Sequence, residues 1–489
     1  MPAPPFRLRP MAALLCAASV MLQAQDLALA ERLFRSGERA YAAQDHKAAL
    51  ETWLQLLQAA PTSPFAPRAL LRLARHQVEV ELRPEAALPY LDRLRTDYLR
   101  SPEAAEGLLL RGGLLVRQAR RPADLKDAMA EFNRVLDLFP DAPACASARL
   151  QLGRAWREQG QPGRALQFLV DAFRLHQDPQ VAPIAMLEAA RTLDALGDLP
   201  ACLRMLQDLR TRYPETPEAI EAAWRTAVLV KHRLQKPPLR LEGPWPAGQT
   251  KWLKTPILLA TGGSGELLIY QNDLDQTYRL VEGDLKPAGP KVPGARVLLT
   301  GPGGTLWVLT RSGLWQDGAT AQAPLEALGA ICGAALDRWG NLWVADAKTA
   351  ALTVFPPKGP ARTVASPTAS ALAALGDGGL VVASDADRKF LFLDPDGQPR
   401  AIVPYGKGLP GAFSTVTALA CDGAGQVAAL VDGGDFGEGV LILGPDGTVL
   451  RQATFKALGV SGRITALALD RSGGLLLCDR RNDLLLRVD

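Results

Sequence analysis

Two repeat periods laid end to end predict a two-module chain, an α-helical solenoid followed by a six-bladed β-propeller. Up to about residue 235, pairs of helical stretches recur every 35–41 residues, closed at Pro61, Leu99, Pro140, Pro179 and Pro214. From about residue 255, a Gly-x-Leu/Val step between short apolar runs recurs six times. A composition shift separates the two: Ala, Leu, Arg and Glu dominate the first half, Gly and Val the second.

The length of 489 residues is about three times that of a usual domain, so more than one domain is expected. With 48% hydrophobic and 22% charged residues the chain is neither disordered nor collagen-like. Arg7 and Arg9 supply half of the net charge of +4, and the two halves beyond residue 24 are nearly neutral, so neither has the excess basic charge needed to hold nucleic-acid phosphates.

Residues 1–24 read as a secretory signal. Arg7 and Arg9 lead an apolar run from Met11 to Leu22, and Ala24 offers a small residue for cleavage. The run is shorter than the about 20 apolar residues a spanning helix needs, and no later segment is long and apolar enough either. Leu15 before Cys16 does not fit a lipid-attachment site, where a small residue is required. The expected location is periplasmic or secreted. Beyond the signal, Cys145, Cys202, Cys332, Cys421 and Cys478 stand far apart, with no C-x-x-C pair. They are expected as small buried side chains; a bridge between Cys145 and Cys202 stays open in an oxidising compartment.

The solenoid is assigned to residues 25–235. Small residues recur where paired helices must approach: Gly37 and Ala49 with Trp53, then Gly153, Ala165 and Ala172. Gly160 and Gly197 fall in turns between helices, and Leu206 and Leu209 fill large positions. The third unit keeps Ala128 and Phe132 but lengthens its turn around Arg120-Arg121-Pro122. This alternation resembles the tetratricopeptide repeat, with five units and a lone final helix from Pro217 to Leu234. Stops such as Arg212-Tyr213-Pro214 and Leu138-Phe139-Pro140 resemble those of exported bacterial members. The outer-membrane assembly lipoprotein and the Tol-Pal-associated periplasmic protein are examples.

Residues 236–254 form a breaker-rich linker with Pro237, Pro238, Pro244 and Pro246. The propeller is assigned to 255–489. Its steps are Gly265-Leu267, Gly304-Leu306, Gly340-Leu342, Gly378-Leu380, Gly425-Val427 and Gly473-Leu475, spaced by 39, 36, 38, 47 and 48. A second turn signal follows about 20 residues later, at Pro356-Pro357-Lys358-Gly359, Asp394-Pro395-Asp396-Gly397 and Gly444-Pro445-Asp446-Gly447. Strand-turn-strand units of this length are blades. The run from Leu336 to Asp346 resembles the NHL repeat, as does Gly406 to Phe413 followed by Val416-Thr417-Ala418-Leu419. The chain stops at Asp489, after a third strand of the sixth blade, so a strand from about Pro238 to Trp245 is expected to complete that blade.

All four histidines, His46, His76, His176 and His232, precede the propeller. Propellers that resemble NHL repeats and cleave peptidyl-hydroxyglycine hold a metal on channel histidines, so that site is not expected here, and no cofactor or metal is. Asp346, Asp385, Asp432 and Asp479 follow the second strand in four blades. Their recurrence suits turn formers accepting local backbone hydrogen bonds rather than a calcium site of the gluconolactonase type. The acidic loop with Asp432, Asp435 and Glu438 lacks calcium-loop spacing.

Trp339 falls in a turn where other blades carry Ser264, Gly303, Asp377, Ala424 and Ser472. It is expected either as a contact residue or lying over a neighbouring turn. In the solenoid, the first helix of each unit should line the concave groove. Repeat register places Arg72, His76, Arg117, Arg154, Arg157 and Arg191 there, beside Glu79 and Asp194. Arginine forks suit carboxylates, so an acidic or C-terminal peptide segment is the expected occupant. The sequence therefore reads as a non-catalytic scaffold or adaptor of the bacterial cell envelope. The alternative is a calcium-dependent lactonase-like or carbohydrate-binding propeller, the latter with a glycan over the tryptophan sector.

Overall fold

The computed structural model describes residues 9–489 except 176, 247–252, 262–265, 282–283, 302–303, 311–312, 318, 322–330, 347–349, 358, 407, 409–410, 423–424 and 471–472. Side chains of residues 9–25 and 319–321 are outside the description too. Residues 1–8 of the expected signal segment, and the expectations for His176, Ser264, Gly265, Gly303, Lys358, Ala424 and Ser472, therefore lie outside the described residues. The chain divides into two compact units, residues 1–119 with 123–198, and residues 120–122 with 199–489.

Eleven helices precede the sheets: α1 (Arg9–Ala42), α2 (His46–Ala59), α3 (Ala66–Glu79), α4 (Pro84–Asp97), α5 (Pro102–Gln118), α6 (Lys126–Leu138), α7 (Ala144–Glu158), α8 (Pro162–Arg174), α9 (Ala182–Ala195), α10 (Leu199–Arg212) and α11 (Pro217–Leu229). Proline opens α3, α4, α5, α8, α9 and α11, at positions where a missing N–H costs nothing. Asp45 caps α2 by accepting from the Ala48 N–H, and Thr216 caps α11 by accepting from Ala219. Gly160 and Gly197 turn the chain with φ of 70° and 80°. No helix of the described residues is long and apolar enough to cross a membrane.

Within a pair, a glycine on the first helix admits a large side chain from the second. Gly37 meets Trp53, and Gly153 lies 2.5 Å, measured from an added Cβ, from Leu169 Cγ. Those partners are 16 residues apart. In the third pair Gly112 meets Phe132, 20 residues on, because the turn there includes a short 3₁₀ segment, Pro122–Leu125. Trp53, Phe132 and Leu169 are fully buried.

The second unit carries six four-stranded antiparallel sheets. The first strands of the sheets are Pro256–Thr261, Ala295–Thr300, Ile331–Leu336, Ala371–Ala374, Thr415–Cys421 and Ile464–Leu469. Each contacts the first strand of the next sheet, and the sixth contacts the first, so the six form a closed ring. Gly304, Gly340, Gly378, Gly425 and Gly473 turn into the second strands with φ between 72° and 89°, a conformation that excludes most other residues.

The sixth sheet is completed from outside its own sequence. Strand Leu241–Pro244 pairs antiparallel with Leu484–Val488, aligning Leu241 with Val488, while Arg240 and Asp489 exchange backbone hydrogen bonds. The apolar cores lie between sheets. Leu476, Cys478 and Leu485 of the sixth pack with Leu259, Leu267 and Ile269 of the first, sealing the ring. All five described cysteines are free thiols.

Adjacent glycines of α5 give a paired test. An added Cβ at Gly112 overlaps Phe132, whereas at Gly113 it meets nothing within 4 Å. In urea unfolding, Gly112→Ala is expected to destabilise by about 1–3 kcal/mol through overpacking. Gly113→Ala is expected to stabilise by about 0.5–1 kcal/mol.

Candidate functional site

The arginines assigned to the groove do not stand alone. Arg154 Nη2 and Arg157 Nη1 of α7 donate to Glu188 of α9 at 3.1 and 2.5 Å, and Arg191 Nη1 reaches the same carboxylate at 3.2 Å. Glu188 is 4% exposed. Arg154 and Glu188 are 34 residues apart, one repeat, and Arg72 of α3 bonds Glu38 of α1 across the same interval at 2.7 Å. Arg75–Glu106 and Arg68–Glu103 likewise join α3 to α5. A second cluster surrounds Glu131 of α6, which accepts from Arg95, Arg111 and Arg134.

The helices thus carry a ladder of guanidinium–carboxylate pairs between successive units. Sequence reasoning found the arginines and missed Glu131 and Glu188; the repeat-length interval between Arg and Glu is the signal that would have found the second. Burial alone would raise the Glu188 carboxyl, but the combined pull of Arg157, Arg191 and Arg154 wins and lowers it to about 2. Glu158 lies 3.9 Å from Arg157.

One groove assignment needs correction. His76 is not on an open face: its side chain is fully buried, 3.4 Å from the Tyr41 hydroxyl and 3.4 Å from Glu81, with the His46 ring beside it. Its register position is occupied by core because α1 and α2 close over it. Arg117 sits exposed in the last turn of α5, away from the Glu188 cluster in sequence, and it too has an interaction partner.

In the third sheet, Asp337 organises the turn that carries Trp339. It accepts from the backbone N–H of Trp339 and Asn341 and from Trp343 Nε1, all at 2.9 Å. Trp339 is half-buried: its ring lies over the Gly378 turn of the fourth sheet, with Arg338 stacked 5.2 Å from its centroid. Of the two expectations for this residue, the neighbouring-turn packing is the one the geometry displays.

Of the recurrent aspartates, Asp479 serves its own turn, whereas Asp385 reaches across to the next sheet. Asp385 accepts from Tyr405 Oη and from the Val416 N–H of the next sheet. Asp479 accepts from the backbone N–H of Arg463, Arg481 and Asn482. Among the described residues, no group of three His, Cys, Asp or Glu side chains is placed to hold a metal ion.

One histidine does reach the sheets. A π-helical turn, Val230–Gln235, extends α11 and inserts His232 beside the Gly473 turn. His232 Nε2 lies 3.1 Å from the Gly473 carbonyl, and Nδ1 lies 3.4 Å from Arg451, whose Nε donates to the Pro237 carbonyl at 2.8 Å. Burial, then the charges of Arg451 and Lys231, push the imidazole down to about 4.

The architecture defines the class: a tetratricopeptide-type helical repeat region joined to a six-bladed β-propeller. Residues 184–216, spanning most of α9 and α10, match the tetratricopeptide repeat family model. No curated protein matches the sequence. Among solved structures the chain is similar to a virginiamycin B lyase from Staphylococcus aureus (14% identity, 50% of this chain and 82% of that one, TM-score 0.36). It is also similar to a regucalcin, described as a calcium-binding protein, from Agrobacterium tumefaciens (13%, 51% and 93%, TM-score 0.37). A thermophilic tetratricopeptide-repeat protein of Thermus thermophilus shares 23% identity over 40% of this chain and 97% of its own, with a TM-score of 0.30.

Two acid-sensitive groups follow. Glu188, depressed from 4.5 to about 2, contributes stability that is present above pH 4.5 and lost as pH falls toward 2, about 3 kcal/mol in all. Glu188→Gln should cost about 3–5 kcal/mol in urea unfolding, because three guanidinium groups then face a neutral amide, and should erase that pH dependence.

His232 is held neutral when folded and protonates first when unfolded, so stability falls by about 3 kcal/mol as pH drops from 6.5 to 4. Thermal melts followed by tryptophan fluorescence at pH 7, 5 and 4 should show this loss, and His232→Gln should flatten it.

Proposed function

We propose that this protein is a non-catalytic interaction scaffold of the bacterial cell envelope, holding one partner on its helical repeats and another on its propeller. The observation that carries the reading is the presence in one chain of two repeat architectures, tetratricopeptide and propeller, that generally mediate protein interactions. The arginine-led apolar segment at the N-terminus supports export to the periplasm or beyond. The likeness of residues 336–346 to the NHL repeat agrees with a propeller used as a binding platform.

An acidic segment remains the partner that the helical repeats favour. Around Glu188, three guanidinium groups face the carboxylates of Glu188 and Glu158, and the Arg154 and Arg191 side chains keep 36% and 30% exposure. A partner carboxylate would share those exposed forks rather than meet an unoccupied one.

Affinity capture from the native envelope fraction tests this. The full chain should retain a partner whose binding weakens as salt rises from 50 to about 500 mM. Arg154→Gln combined with Arg191→Gln should reduce capture at least about tenfold while far-UV circular dichroism stays unchanged. Equal capture by the variant, or capture indifferent to salt, would overturn the acidic-segment assignment.

A further inference from the structure

The centre of the propeller carries a charge that nothing above uses. Five of the six first strands have an extra residue at the same place, one or two residues after they begin. The shifts lie between Pro256 and Leu258, Ala295 and Val297, Ile331 and Gly333, Val416 and Ala418, and Ile464 and Ala466. The extra residues are Ile257, Arg296, Cys332, Thr417 and Thr465. A bulge re-aims its side chain and leaves it out of the ladder. Because the six first strands adjoin in a ring, these residues encircle one mouth of the central channel.

Arg296 is the only charged residue on any of the six first strands. It is exposed, and among the described residues no carboxylate pairs with it. Thr417 is exposed on the same rim, and Arg463, one residue before the sixth first strand, adds a second exposed cation, whereas the Thr465 hydroxyl is buried. Further along the same strands, the partly accessible side chains include the apolar Leu258, Val297, Leu299, Leu336 and Leu419 beside Thr261 and Thr300. Each of these strands adjoins a neighbour on both sides, so the surface left on them faces the axis.

We propose that this mouth binds an amphipathic monocarboxylate, with the carboxylate on the Arg296 fork and the apolar part directed onto the inner-strand side chains. The planar fork matches a carboxylate in two parallel hydrogen bonds. Inorganic phosphate has no apolar part to place on the inner-strand side chains, so it serves as the control for charge alone. This site stands apart from the scaffold reading and depends only on the ring. The carboxylate belongs either to a small acid or to the C-terminus of a chain ending in an apolar residue.

Isothermal titration of the full chain tests the site with octanoate, octanamide, inorganic phosphate, and a peptide ending in leucine as free acid or amide. Octanoate or the free-acid peptide should bind, octanamide, the peptide amide and phosphate should not, and affinity should rise about fourfold per methylene from hexanoate to octanoate. Arg296→Gln should weaken binding by about 10- to 100-fold. Arg296→Lys, which keeps the charge and loses the fork, should fall between; circular dichroism checks that both fold. Binding of octanoate alone assigns the site to a small acid, and binding of the peptide alone assigns it to a chain terminus. Equal binding of acid and amide, unchanged affinity in Arg296→Gln, or no binding of either carboxylate overturns the proposal.

Discussion

The propeller depends on one pairing, the antiparallel contact of Leu241–Pro244 with Leu484–Val488. Without it the last sheet would end in an open edge and its outer apolar side would face water. The consequence extends beyond that sheet, because no sheet here has a core of its own. Val440 and Ile442 of the fifth pack with Leu467 and Leu477 of the sixth, and the sixth packs in turn with the first. Opening the ring at one seam therefore exposes two interfaces and removes the geometric reason for the others. The entering strand is itself anchored by side chains. Lys231 pairs with Asp489, Arg451 holds the Pro237 carbonyl, and His232 fills the space over Gly473.

Charge in the helical half serves a comparable purpose. Helix pairs stack through Ala, Gly and Leu, which specify closeness but not register. A carboxylate buried among three arginines is satisfied in one alignment and strongly penalised in others, so the clusters around Glu131 and Glu188 discriminate between neighbouring registers of the stack. Desolvation of the ions offsets part of their contribution to stability.

The two repeat periods, the helical turns at Gly160 and Gly197 and the glycine steps between strands were legible because each is local. A positive φ requires glycine whatever lies around it, and a period survives any change of partner. Trp53 against Gly37 was legible for the same reason, since both belong to one helix pair. Gly112 was not, because the lengthened turn after α5 shifts its partner from 16 to 20 residues away. Glu188 and His232 were missed for a different reason. Each acts across a repeat or a module, and a single charged or imidazole side chain on a helix gives no sign of whether it faces water or a partner. His76 shows the converse error, a polar residue placed on a groove by register and found in the core.

The bulges separate folding from recognition in the ring. Between the sheets, every side chain is constrained by two neighbours, and Leu467, Leu477 and Leu486 have no room to become anything else. The extra residue of each first strand is released from the ladder, and of the five only Ile257 and Cys332 still pack against an inter-sheet core. Isoleucine, arginine, cysteine and threonine all occupy this position in one chain without altering the sheets around them. Variation that would destroy a blade is tolerated there, so the chemistry of the channel mouth can be set residue by residue while the inter-sheet cores remain unchanged.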